Sequence, residues 1–231
     1  MFIVARIAFS FLLISAMTGM AHADETVNIA GSNAVLLRPS APKASVILMP
    51  GGQGRIGARP GGVITQSTGN QLVRTRKDYE AHGLAVLVVD AGIDLARAVD
   101  YMRKIKSPVT VIGTSRGTLR AAQGIAAGAR PDALVLTSGF LSNESGSSEN
   151  VVNILGSPAK LPRTLVIEHR HDGCKFTRPA GVEPFVRWTR GKARVVWVDG
   201  GTTFGNPCKA HSHHGFNGLD SRIVSIAAQF R

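Results

Sequence analysis

The chain has 231 residues, 44% of them hydrophobic, and its 27 Lys and Arg outweigh 15 Asp and Glu to give a formal charge of +12. That length suits one well-packed domain, and a basic balance says nothing about fold, although it favours electrostatic association with an anionic envelope surface. Nucleic acid is not an expected partner, because the longest basic stretch is residues 74–77 and no nucleic-acid motif accompanies it.

At the start of the chain, residues 1–23 carry one charged side chain, Arg6, then an apolar run over 7–17, then Ala21-His22-Ala23. A basic start, an apolar centre and a small-x-small end mark a cleaved export signal. The apolar run is shorter than the roughly 20 residues that a membrane-spanning helix needs. The expected mature protein is therefore a single domain, 24–231, located in the periplasm or secreted.

Residues 28–37 are expected to form antiparallel edge strands turning at Gly31-Ser32-Asn33. Short apolar, β-rich runs follow at 45–49, 84–89, 109–112, 133–136, 164–167 and 194–198. Their apolar residues are continuous rather than alternating, the pattern of strands buried on both faces. Between most of them lie stretches of helical length, 70–82, 94–106, 117–129 and 179–190, and a last one over 219–230. In the second, Asp94 caps a helix whose Leu95, Ala98, Val99 and Met102 share one apolar face, and Pro108 ends it. Strand then helix, repeated, predicts an α/β fold with a mostly parallel, doubly wound sheet flanked by helices. Residues 142–150 are polar and low in complexity, and are expected to be a solvent-exposed loop or a minimal cap, with no room for a large lid.

Gly113-Thr114-Ser115-Arg116-Gly117 matches G-x-S-x-G, in which a sharp turn from strand to helix leaves the serine hydroxyl exposed and the flanking glycines avoid collisions. It follows the apolar run Val109-Thr110-Val111-Ile112 and opens a small-residue helix, the setting that such a turn requires. With these motifs the chain resembles the α/β-hydrolase superfamily, and the order of its elements extends the resemblance over essentially all of 24–231. Small size and the absence of a lid are similar to the dienelactone-hydrolase-like branch, although no specific motif singles that branch out.

The resemblance implies a nucleophile, an acid and a base in that chain order. Ser115 is then the nucleophile. Asp172 lies in His169-Arg170-His171-Asp172-Gly173, directly after a predicted strand, where the acid belongs; Glu168 and Asp199 are the alternatives. His214-Gly215-Phe216, before the last predicted helix, makes His214 the base, with His213 the first alternative and His211 a bystander. The carboxylate fixes the imidazole tautomer, and the imidazole removes the proton that makes serine a poor nucleophile near neutral pH.

Acyl transfer also needs donors for the developing oxyanion. The resemblance assigns one to the Arg116 N–H and the other to Met49-Pro50-Gly51-Gly52-Gln53-Gly54, through Gly52 or Gln53; Pro50 stands where many relatives carry histidine. Arg55 or Arg59 of this glycine-rich stretch could bind a substrate carboxylate, whereas no P-loop or G-x-G-x-x-G is present for a nucleotide.

Cys174 and Cys208, the only cysteines, are expected to pair in an oxidising compartment and to tie the acid loop to the base loop. The function expected is an exported serine hydrolase acting on an ester, or a related acyl bond, of a small-molecule substrate through an acyl-enzyme, without cofactor or metal. Two other classes remain open. His169, His171, His211, His213 and His214 with Asp172 could serve a metal-dependent hydrolase, although their spacing fits no known ligand motif. The same scaffold could instead serve as a non-catalytic envelope binding protein.

Overall fold

A computed structural model of the protein describes residues 23–231. The expected export signal, apart from Ala23, lies outside the described residues.

The chain opens with β1 (Glu25–Ile29), β2 (Ser32–Leu37) and β3 (Ala44–Met49), then a small hairpin, β4 (Ala58–Arg59) and β5 (Val63–Ile64). Two short helices, α1 (Gln71–Arg74) and α2 (Arg76–Ala81), lead to β6 (Leu84–Val89), α3 (Leu95–Ile105), β7 (Val109–Thr114), α4 (Arg116–Ala126) and β8 (Ala133–Thr137). A small insertion carries α5 (Val151–Leu155), and β9 (Arg163–His169), α6 (Val182–Trp188), β10 (Ala193–Val198) and α7 (Asp220–Ala228) complete the described chain.

Eight strands form one sheet in the order β1-β2-β6-β3-β7-β8-β9-β10, parallel from β6 to β10, with β2 antiparallel to both of its neighbours. This is the mostly parallel, helix-flanked sheet that the sequence pattern predicted. Alternate residues of the central strands enter two cores. Ile47, Leu87 and Val111 pack on one face with Val99, Met102 and Ile125 of α3 and α4. Val46, Val88 and Ile112 pack on the other with Leu72, Tyr79 and Val224 of α1, α2 and α7.

Three local expectations need correction. The β1–β2 turn is Ala30 and Gly31, at φ 49° and 87°, so Ser32 and Asn33 are strand residues paired with Ile29 and Asn28. Positive φ at both central positions matches the twist of a two-residue hairpin. Asn28 Oδ1 adds a hydrogen bond from the Gly31 N–H at 3.0 Å. The helix expected over 70–82 is broken at Thr75, whose Oγ1 donates to the Gln71 carbonyl at 2.7 Å, a side chain competing with the backbone ladder. The polar stretch 142–150 is not uniformly exposed. Ser142, Ser145 and Asn150 are buried, and the Asn150 amide binds Asn143 Oδ1 at 2.8 Å and the Ser147 carbonyl at 3.0 Å, so the polar side chains close the loop on itself.

Candidate active site

The chain leaves β3 through α1 and α2 toward one face of the sheet and leaves its neighbour β7 through α4 toward the other. The crevice beyond the carboxyl ends of two such strands is the usual place for a ligand in an open α/β sheet. The Pro50–Gly54 loop after β3 and Ser115 after β7 meet there.

Ser115 sits between β7 and α4 at φ 53° and ψ −125°. A non-glycine residue with this backbone carries strain of roughly 1–3 kcal/mol, which persists only where the surroundings enforce it. They do so through hydrogen bonds from the Ser115 N–H to the Thr137 carbonyl at 3.0 Å and from Thr118 Oγ1 to the Ser115 carbonyl at 2.7 Å. The glycines have steric reasons. A Cβ on Gly113 would lie 2.7 Å from the Gly117 carbonyl oxygen, one on Gly117 would overlap the Met49 carbonyl, and one on Gly51 would reach Ser115 Cβ at 3.0 Å. Ser115 itself stays partly exposed, at the start of a helix whose first N–H groups have no partner within the helix.

Beyond the carboxyl ends of β9 and β10, His214 Nδ1 and Asp172 Oδ2 are 2.9 Å apart, with the two side chains 6% and 0% exposed. Asp172 Oδ1 accepts the Cys174 N–H at 2.8 Å, and Oδ2 accepts the Thr177 hydroxyl at 3.0 Å. Thr177 Oγ1 is also 3.0 Å from His214 Nδ1, so the carboxylate, the imidazole and the hydroxyl form one buried cluster. The Asp172 contact requires the Nδ1–H tautomer, which leaves Nε2 as the basic nitrogen. Asp172 and His214 are thus brought together, and among the described residues no hydrogen bond joins Ser115 Oγ to His214.

The alternatives are occupied elsewhere. His213 is half-buried and stacks on His169, ring centroids 4.3 Å apart, with Nδ1 3.2 Å from the His171 carbonyl. His169 uses Nε2 at 2.9 Å from the Gly200 carbonyl and Nδ1 as acceptor of the His171 N–H at 3.0 Å. Asp199 faces solvent with Arg170 and His171. Glu168 is fully buried, and burial, with Asp172 nearby, pushes its carboxyl well above the usual range. Among the described residues no group of three or more His, Cys, Asp or Glu is arranged to hold a metal ion.

Cys174 and Cys208 form a disulfide, Cα atoms 4.5 Å apart, that ties the loop of Asp172 to the loop leading to His214. Further fasteners have no sequence motif. Ser138 Oγ donates to the His214 carbonyl at 2.8 Å. Arg74 donates to the Gly215 carbonyl at 2.8 Å and to both carboxylate oxygens of Asp220 at 2.8 and 2.7 Å, binding α1, the histidine turn and α7. Two cations of the basic stretch 74–77 are paired within the chain, half-buried Arg74 with Asp220 and exposed Lys77 with Asp24. Cavities of about 700 Å³ beside Asn28, Arg97 and Tyr101 and about 690 Å³ beside Pro158, Trp188 and Lys192 lie away from this chemistry.

The sequence matches no known family model and no curated protein. Solved structures do match over nearly the whole chain. A Thermus thermophilus protein, TT1662, superposes with a TM-score of 0.62 at 16% identity, covering 90% of this chain and 98% of that one. A dienelactone hydrolase from Anabaena variabilis gives 0.60 at 14% identity, covering 92% and 96%. A cold-adapted esterase from an Arctic intertidal metagenomic library gives 0.56 at 14% identity, covering 90% and 92%. The chain has the α/β-hydrolase fold. Within that fold the turn at Ser115 follows a central strand, the Asp172 loop follows β9, and His214 lies between β10 and the last helix.

Proposed function

We propose that this chain is an exported serine hydrolase that cleaves an ester bond of a small-molecule substrate. The observation that carries the proposal is the buried Asp172–His214 pair on the same fold as a serine held at φ 53° in a strand-to-helix turn. Ester hydrolysis is also the chemistry named for similar folds, an esterase and a dienelactone hydrolase.

In the proposed reaction Ser115 Oγ attacks the ester carbonyl carbon while His214 Nε2 takes the hydroxyl proton. Asp172 holds the Nδ1–H and stabilises the imidazolium that forms. The negative charge moves to the former carbonyl oxygen, facing the Arg116 N–H and that of Gly52 or Gln53. Collapse expels the alkoxide, which takes the proton from His214 and leaves as the alcohol; Ser115 is then acylated. Water, deprotonated by His214, adds to the acyl carbon; breaking the Ser115 Oγ–acyl bond releases the acid, and the proton on His214 passes to Oγ, restoring the serine hydroxyl and the neutral imidazole.

A chain that makes a disulfide and begins with an export-signal pattern suits the periplasm or the exterior. The experiment is steady-state hydrolysis of p-nitrophenyl acetate and butyrate by residues 24–231 and by Ser115→Ala. Turnover that the variant reduces on the order of 10⁴-fold or more supports the proposal; folded protein without turnover assigns the scaffold a binding role.

A further inference from the structure

We propose that Arg120 is a positioning residue for oxyanion stabilisation: from the second turn of α4 its guanidinium holds the carbonyls of Pro50 and Gly52, turning the Gln53 N–H of that loop toward the carbonyl oxygen of an ester attacked by Ser115. The inference rests on the serine-hydrolase reading above and names a residue that no part of the triad requires.

Arg120 donates through Nη2 to the Pro50 carbonyl and through Nη1 to the Gly52 carbonyl, the latter at 3.2 Å. Gly54, at φ 72°, sits against the guanidinium: a Cβ on it would be 2.5 Å from Nη2 and 2.6 Å from the central carbon. A side chain there would have to displace the guanidinium, and the positive φ itself favours glycine.

Peptide planarity carries the consequence. In a trans peptide the carbonyl of one residue and the N–H of the next point in opposite directions. Fixing the Gly52 carbonyl toward α4 therefore turns the Gln53 N–H away from α4. The Gly51 carbonyl is fixed as well, accepting the Gly54 N–H at 3.0 Å, which sets the Gly52 N–H in turn. Among the described residues neither the Gly52 nor the Gln53 N–H has an acceptor of its own. These are the donors that the oxyanion loop must present, and one guanidinium sets the peptide that carries one of them.

Charge argues the same way. Burial, and then the Arg116 cation, oppose the charge on Arg120, whereas Asp90 favours it. Asp90 Oδ1 meanwhile accepts the N–H groups of Ile56 and Ala91 at 3.3 and 3.1 Å. Among the described residues the acceptors of Arg120 are backbone carbonyls and not a carboxylate, so a cation without an ion-pair partner sits behind the loop. A fixed positive charge there favours negative charge developing on the substrate oxygen.

The test compares wild type, Arg120→Met, Arg120→Lys and Gly54→Ala, the last displacing the guanidinium without altering it. For each, kcat and KM on p-nitrophenyl butyrate, the inhibition constant of a trifluoromethyl ketone that forms a tetrahedral adduct, and Tm are measured. Losing one oxyanion donor costs about 10²–10³ in rate. Arg120→Met is expected to lower kcat by about 10²-fold with KM nearly constant, and to weaken the ketone by a similar factor. Arg120→Lys should recover part of the loss, because lysine keeps the charge but lacks the fork that spans two carbonyls. Gly54→Ala should resemble Arg120→Met. Unchanged kcat in Arg120→Met, or a kcat loss with undiminished ketone affinity, overturns the role of Arg120 while leaving the serine-hydrolase reading intact. A folded wild type that neither turns over esters nor binds the ketone overturns both.

Discussion

The two walls of the crevice are built differently. On the Ser115 wall, β7, α4 and the loop after β3 are held by the sheet itself: the Ser115 N–H reaches the next strand, and Gly113 and Gly117 let α4 approach Met49 at the end of β3. On the Asp172–His214 wall the partners lie 42 residues apart on two loops beyond the sheet. Long fasteners hold them there, namely the 174–208 disulfide, Thr177, Ser138 and Arg74. A sheet edge imposes its geometry through backbone bonds that form with the fold, whereas loops need separate tethers to keep a 2.9 Å contact between acid and base. The serine wall should therefore fail by steric overlap and the acid–base wall by loss of a tether.

The largest expected effect comes from removing the main tether. Replacing Cys174 and Cys208 with alanine opens a 34-residue loop, and chain entropy puts the destabilisation at about 4 kcal/mol. For a domain of this size that lowers Tm by roughly 8–16 °C, measurable by calorimetry, with reduced wild type behaving alike. Activity should fall as well, below the melting transition, because the acid and base loops lose register.

Next is Gly117→Ala on the serine wall, where the added methyl meets the Met49 carbonyl. Overpacking against backbone costs about 3 kcal/mol. Tm and kcat should fall together, since the turn that carries Ser115 must shift.

A smaller and more selective effect is expected from Thr177→Val. It removes the hydroxyl between Asp172 and His214 and leaves a buried carboxylate oxygen one donor short, at about 1–3 kcal/mol. We expect kcat to drop about 10-fold with KM unchanged and Thr177→Ser to restore most of it, the loss being worth about 1.4 kcal/mol of transition-state stabilisation. A valine variant with full kcat would remove Thr177 from the acid–base wall.

The smallest effect is one of pH. Burial, more than the nearby Asp172, raises the Glu168 carboxyl well above its ordinary 4.5. The folded chain then keeps a proton that the unfolded chain releases above pH 4.5, so the penalty on folding grows as pH rises from that value toward the folded pKa and is absent below it. Glu168→Gln should match wild type in Tm at pH 4 and exceed it at pH 8; equal curves at both would show that Glu168 ionises freely.

The same division decides what the sequence makes legible. The central strands were readable from continuous apolar runs, and the Ser115 turn from two glycines within five residues, because their causes are local. Chain order put forward Asp172 and His214, and the structure places the two in contact, with no hydrogen bond from Ser115 Oγ to His214 among the described residues. Expectations failed where a side chain competes with the backbone, as at Thr75 and in 142–150, or where twist selects the turn, as at Ala30 and Gly31. Thr177, Arg74 and Arg120 were not singled out at all. Their partners lie 5 to 146 residues away, and no motif marks a threonine that bonds a carboxylate or an arginine that bonds carbonyls.

The most direct measurement is the rate at which a fluorophosphonate probe modifies residues 24–231, with the labelled peptide mapped by mass spectrometry, for wild type, Ser115→Ala and His214→Gln. Rapid adduct on Ser115, absent in Ser115→Ala and slowed on the order of 10³-fold or more in His214→Gln, is the result expected of a serine activated by its histidine. Folded wild type that takes no label at Ser115, or labels as fast without His214, would contradict it.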